Sequence, residues 1–209
     1  MDFQSTLFAP TLADGESRAV DFAGLERTPL TRGAWLDVAR AWLPEADEIL
    51  ETLVRDVPWR AERRQMYDRV VDVPRLVHTY MIGDGLPHAG LTGARDALSA
   101  HYADELGEPF RTAGCCYYRD GRDSVAWHGD TIGRGKTTDT MVAIVSLGDP
   151  RKLHLRPRLG GADPVVVEMG HSDLVVMGGS CQRTWEHAVP KVAHAGPRIS
   201  VQFRPLNVF

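Results

Sequence analysis

The sequence has little sulfur with which to hold itself together. Its 209 residues include 3 cysteines, Cys115, Cys116 and Cys181. An odd number with two adjacent does not suit a disulfide framework, so a hydrophobic core and a reducing, cytoplasmic setting are expected. Long apolar runs are also missing. None approaches the roughly 18 residues that span a bilayer, and no membrane association is expected. The start, Met-Asp-Phe-Gln-Ser, lacks the positive region and apolar stretch of a secretory signal. Internal repeats and low-complexity segments are absent, which argues against a solenoid. Neither charge sign dominates: the net charge is −4, which disfavours strong nonspecific attraction to a phosphate backbone. Arginine is dense locally, in Trp59-Arg-Ala-Glu-Arg-Arg64, at Arg69 and Arg75, and in Arg151-Lys-Leu-His-Leu-Arg-Pro-Arg158. Those clusters read equally well as a solvated surface and as a polyanion footprint.

What is present is ordinary for one globular domain, with 43% hydrophobic and 25% charged residues. The first 30 or so residues, including Leu7-Phe8 and Phe22, read as an extended lead-in. Residues 45–57 carry Ile49, Leu50, Leu53, Val54 and Val57 at helical spacing, with Pro44 at the start. A second helix is expected over 91–106, capped by Thr92 and stopped by Gly107. Strands follow at 114–118, 141–147, 153–155, 164–168, 174–177 and 199–203, separated by glycine, proline and aspartate clusters. Helices first and many short strands after predict an α+β chain, a double-sheet jelly roll buttressed by N-terminal helices.

His128-Gly129-Asp130 has the form of a metal site on a strand end. Alternate residues share a face, so both side chains can meet one ion while Gly129 adds no bulk. Two neutral imidazoles and one carboxylate can occupy one face of Fe(II) and leave its other positions open. With 8 histidines in the chain, about one His-x-Asp arises by chance, so the pattern alone is weak. A second, His171-Ser-Asp173, reads as a turn into the apolar strand that follows. Too little chain separates it from the later histidines to wrap a barrel. For the third ligand, His187 in Trp185-Glu-His187 competes with His194 in Lys191-Val-Ala-His194-Ala-Gly196. His187 is preferred, because His194 reads as part of an exposed loop.

Arg198, Ser200, Gln202 and Arg204 are spaced by two and line one face of a strand. An inward-facing arginine is costly without a partner, so it implies a buried anion, and a carboxylate suits a bidentate guanidinium. On alternation alone an outer strand with its polar face in water is the better reading. The histidines and aspartate upstream, in this order, reverse that preference.

Taken together these segments resemble the AlkB family of Fe(II)/2-oxoglutarate dioxygenases over most of the chain from about Trp59 to Arg204. Val73-Pro-Arg75 with Thr79-Tyr80 resembles the family's substrate lid. Tyr118-Arg-Asp-Gly121 is similar to its Asn-x-Tyr-x-x-Gly turn, and Trp185-Glu-His187-x-x-Pro190 to its distal histidine segment. Arg198-x-Ser-x-Gln-x-Arg204 resembles its Arg-x-Asn-x-Thr-x-Arg signature. The sequence departs at Cys116, Ser200 and Gln202, which replace amide or hydroxyl side chains. It departs again at Ile132, where repair members usually carry an acid, and at Gly133-Arg-Gly-Lys136.

The resemblance implies a single domain over 1–209. Residues up to about 110 would supply an extension, helices and a nucleotide-recognition lid, and 111–209 the catalytic jelly roll. It implies that His128, Asp130 and His187 bind Fe(II), that Arg198, Tyr118, Ser200 and Arg204 bind 2-oxoglutarate, and that O2 is consumed. Arg75, Tyr80 and Trp185 would contact substrate, with Trp59 and Tyr67 as further stacking candidates. Arginines between Arg60 and Arg75 would hold phosphates. The implied activity is oxidative demethylation of N-alkylated bases in DNA or RNA, single-stranded or with the base flipped out, by a monomer. It couples 2-oxoglutarate conversion to succinate with release of formaldehyde, as in DNA repair. The alternatives are a 2-oxoglutarate hydroxylase of a small molecule or protein side chain, and a cupin-like metal-binding module.

Overall fold

A computed structural model describes residues 19–66 and 69–208, and for residues 63–66 and 69–72 the backbone alone. Leu7, Phe8 and Tyr67 lie outside the described residues, as do the side chains of Arg63, Arg64 and Arg69.

The chain begins with β1 (Glu26–Pro29) and β2 (Ala34–Ala39), then α1 (Ala46–Asp56), β3 (Arg60–Met66) and β4 (Arg69–Tyr80). Next come α2 (Ala89–His101), α3 (Ala103–Leu106), β5 (Thr112–Tyr118) and β6 (Val125–His128). The second half holds β7 (Val142–Gly148), β8 (Arg151–Pro157), β9 (Val165–Met169), β10 (Leu174–Gly179), α4 (Cys181–Thr184), β11 (Trp185–Val189) and β12 (Arg198–Arg204).

The strands form two sheets. The larger has the order β1-β2-β10-β7-β12-β5-β4-β3 and the smaller β6-β11-β8-β9. Every pairing is antiparallel. The sheets face each other without closing, a jelly roll with helices on one side. Alternation decides what each face meets. On β12, Ile199, Val201 and Phe203 point to the helix side, where they pack with Ile49, Leu53, Leu91 and Leu98. The opposite face of the larger sheet meets the smaller one through Val142, Ile144, Leu153, Leu155, Met169 and Trp185. The polar residues of β12, Arg198, Ser200 and Gln202, therefore point between the sheets and are buried.

Four strands in the first half extend the larger sheet at both edges, where the sequence suggested a lead-in and a lid. Their alternation is short or broken: β4 contains Pro74, and a register shift interrupts β3 opposite it. The second helix starts earlier than expected and is broken. His88, not Thr92, caps it, its Nδ1 accepting from the Gly90 amide. Tyr102 leaves helical geometry between α2 and α3. Gly107 ends α3 at φ +73°, as its lack of a Cβ permits.

Candidate metal centre

β6 and β11 pair so that His128 lies opposite His187. Paired residues of an antiparallel ladder project from the same face. The two imidazole rings meet with centroids 4.2 Å apart. Asp130 follows β6 by two residues, and its Oδ1 lies 3.7 Å from Nε2 of His128. One ligand atom from each of the three residues falls within 4.8 Å of the others.

The surroundings fix the chemical state of each group. Nδ1 of His128 lies 2.9 Å from the Ala126 carbonyl oxygen. A carbonyl only accepts, so Nδ1 carries the hydrogen and the Nε2 lone pair faces the site. Burial and the neighbouring His128 push the His187 pKa down to about 3. Burial also lowers that of His128. Both rings are thus neutral ligands near pH 7. Asp130 is almost fully buried, which alone raises its pKa; the Arg204 guanidinium and the two histidines outweigh that and hold it down at about 2. Arg204 Nε donates to Asp130 Oδ2 at 2.7 Å. The Gln182 side-chain carbonyl accepts from the Asp130 amide at 2.9 Å.

Glycines make this packing possible. A Cβ on Gly129 would stand 2.5 Å from the Gln182 carbonyl and 2.6 Å from a guanidinium nitrogen of Arg158. One on Gly135 would stand 2.2 Å from the Asp130 carbonyl, and one on Gly133 2.3 Å from that of Asn207. The glycines of Gly133-Arg-Gly-Lys136 therefore let the segment fold back beneath Asp130 and dock on the C-terminal residues.

The histidines open onto a cavity lined by Arg75, Cys116, Tyr118, Arg198, Ser200, Gln202 and Arg204, with an apolar wall that includes Val142, Ile144, Leu153 and Met169. Arg198 is 1% exposed. Its Nε donates to Ser146 Oγ at 2.9 Å, Nη2 lies 3.9 Å from the Met169 sulfur, and Nη1 has no hydrogen-bond partner among the described residues. Burial lowers the pKa of this guanidinium. It stands 5.0 Å from the ring of Tyr118, whose own pKa burial raises. A buried cation with an unsatisfied donor, in a cavity shared with two neutral imidazoles and a carboxylate, is what a chelating dicarboxylate bound to Fe(II) would satisfy.

Several sequence expectations meet here and others do not. His128, Asp130, His187, Tyr118, Arg198, Ser200, Arg204 and Arg75 all border one site. Arg204, which the resemblance implied would bind 2-oxoglutarate, is engaged by Asp130. Tyr80 is a correction. It pairs with Ala113, which pairs with Phe203, so its side chain lies on the helix face of the sheet, away from the histidines. Trp185 is another: it points inward like His187 but is a 2% exposed core residue whose Nε1 donates to the Thr31 carbonyl. Trp59 packs on Tyr117 behind the sheet. His171 accepts from the Gly148 amide and approaches Asp47, and His194 borders a separate surface hollow; neither joins the triad. Gln182 and Trp127 were missed. A buried glutamine in a short α4 carries no pattern, and Trp127 is marked only by standing beside His128.

Two facing antiparallel sheets with a His-Asp-His face and a buried guanidinium define the class of non-haem Fe(II) enzymes that take an anionic cosubstrate. The model of the 2OG-Fe(II) oxygenase superfamily matches residues 38–204. Alpha-ketoglutarate-dependent dioxygenase alkB homolog 3 of Mus musculus is 30% identical over 181 residues, 78% of this chain and 62% of the relative. DNA oxidative demethylase ALKBH2 of Arabidopsis thaliana is 27% identical over 214 residues, covering 84% and 67%. The structure of OsALKBH1 superposes with a TM-score of 0.56 at 16% identity, over 85% of this chain and 100% of that one, a likeness of fold. The chain belongs to the 2OG-Fe(II) oxygenase superfamily. It spans 62% of the length of the mouse relative. The superfamily's set of Fe(II), 2-oxoglutarate and O2 fits the residues present.

Proposed function

We propose that the protein removes N-alkyl groups from bases of DNA or RNA by oxidation, consuming 2-oxoglutarate and releasing succinate and formaldehyde. The observation that carries this reading is Arg198, a buried guanidinium with a free Nη1, in the same cavity as the His128, Asp130 and His187 cluster. The names of the relatives, one of them a DNA oxidative demethylase, support the substrate class.

His128, Asp130 and His187 would hold Fe(II). Bound with 2-oxoglutarate and O2, the iron supplies an oxidant able to hydroxylate an N-methyl group, which then leaves as formaldehyde. The chain supplies position and dryness. Arg198 would receive the far carboxylate of the cosubstrate through Nη1 and hold it by charge-assisted hydrogen bonds. Tyr118, kept protonated by burial, can donate its hydroxyl to the same anion, beside Ser200. Arg204 holds one oxygen of Asp130 and leaves the other directed toward His128. Val142, Ile144, Leu153 and Met169 keep bulk water from the cosubstrate end. At the opposite wall Arg75 donates to Cys116 Sγ at 3.3 Å and to the Ser124 carbonyl at 3.2 Å, joining β4 to the start of β6. Arg75 thereby shapes the mouth through which a base would enter.

The test is an assay of succinate and formaldehyde with Fe(II), 2-oxoglutarate and a panel of single-stranded oligonucleotides carrying methylated adenine, cytosine, guanine or thymine. Formaldehyde should appear with at least one, should vanish in His128→Ala, and binding should weaken steeply with salt. Succinate without formaldehyde from every oligonucleotide would reject the substrate class and leave the dioxygenase chemistry.

A further inference from the structure

Trp127 is the residue before the first histidine of the metal cluster, and it is turned away from that cluster. β6 is the free edge of the smaller sheet, and its pairing with β11 slips between His128 and Val125, where Ala126 and Trp127 stand opposite Ala188 alone. Such bulges re-aim side chains. Here the result is a tryptophan 38% exposed on the outer surface. Its ring is nonetheless held in place. The Arg156 guanidinium lies over it, 4.2 Å from the centroid, and His154 meets it edge-on at 6.4 Å. Arg156 is in turn pinned by Glu186, through Nε at 3.1 Å and Nη2 at 2.9 Å.

The charges around the ring favour a polyanion. Lys152 and Arg156 on the outward face of β8, and Arg158 just beyond its end, are exposed, and Arg158 shares Glu186 with Arg156. Glu186 and Glu168 are the acids on the same face, and Val166 and Leu159 are its exposed apolar residues. An exposed aromatic ring with guanidinium support, set among basic side chains, is the combination by which proteins hold single-stranded nucleic acid: stacking on bases, cations along phosphates. Because β6 is the edge strand of the smaller sheet, a nucleic-acid strand that delivers one base to His128 would meet Trp127 by passing over that edge.

We propose that Trp127, backed by Arg156, is a stacking platform for a nucleotide flanking the target base, so that the protein prefers an oligonucleotide to an isolated nucleotide. This rests on the nucleic-acid reading above. The experiment compares kcat/KM for a methylated mononucleotide with that for a 15-nucleotide single strand carrying the same methylated base, in the wild type, Trp127→Ala, Trp127→Phe and Arg156→Gln. The ratio of the two constants is the readout. Damage to the neighbouring His128 lowers both constants alike, whereas loss of a flanking contact lowers the oligonucleotide constant alone. Trp127→Ala should reduce the ratio about tenfold, Trp127→Phe should keep most of it, and Arg156→Gln should lie between. A wild-type ratio near unity, or an unchanged ratio in Trp127→Ala, overturns the platform while leaving the demethylase reading intact. Absence of wild-type turnover on both probes removes the reading and the platform together.

Discussion

Arg204 and Asp130 form a charged hydrogen bond of 2.7 Å between two buried or nearly buried side chains, at opposite ends of the site's sequence. The guanidinium acts on the metal centre by fixing the rotamer of its carboxylate ligand, Asp130. Partners of this kind orient ligands, and their loss typically costs about 10–100-fold in metal affinity. Arg204→Gln should weaken Co(II) binding, followed by its visible absorption, within that range. Wild-type affinity in this variant would show that Asp130 needs no orienting partner.

Arg198 gives a prediction of opposite sign for stability and for function. Its Nη1 has no hydrogen-bond partner among the described residues, and its charge is buried. An apolar side chain of similar length removes that cost. Arg198→Met should leave the ligand-free protein as stable as the wild type or more so in thermal unfolding. The same change should raise KM for 2-oxoglutarate by about 10–100-fold, from the loss of a charged hydrogen bond worth about 1.5–3 kcal/mol. A destabilised variant with unchanged KM would make Arg198 a structural residue.

Gly135 offers a third test, on backbone geometry. A Cβ there would stand 2.2 Å from the Asp130 carbonyl, and backbone cannot give way as a flexible side chain does. Gly135→Ala should move Asp130 out of register with His128 and His187, lower metal affinity at least tenfold, and cost about 1–3 kcal/mol in urea unfolding. Gly93→Ala, where a Cβ meets nothing within 4 Å, is the control.

The parts of this architecture that were legible in the sequence are those where one physical rule acts alone. Period-two alternation in 198–204 gave β12, and the histidines and aspartate upstream, rather than the alternation, gave its buried polar face. His128 and Asp130 were legible because a strand puts i and i+2 together. β3 and β4 were hidden because Pro74 and a register shift break their alternation, and β1 because it is only 4 residues long and exposed. Tyr80 and Trp185 were misplaced for a different reason: an aromatic residue near a motif can face either side of its sheet, and only the register with Ala113 and Phe203, or burial against the core, decides which.

Acid should unfold the metal-free protein in a way that reports on His187. In the unfolded chain a histidine titrates near 6.5, and in the folded protein burial holds His187 at about 3. Between those values the unfolded state binds the proton and the folded state does not, so stability falls as pH falls from about 6.5 toward 3. The lowered pKa of His128 acts in the same direction. Asp130, held at about 2 mainly by Arg204 against the opposing effect of burial, adds a further loss between its unfolded value near 3.9 and about 2. Each group contributes a slope of up to about 1.4 kcal/mol per pH unit inside its own window. Urea midpoints measured in chelator at pH 7, 6 and 5 should therefore decline. In His187→Gln the decline should be shallower by about one proton, whatever the variant's stability at pH 7. An equal slope in the two proteins would mean that His187 takes up its proton without unfolding, and the neutral, buried ligand described for this site would be wrong.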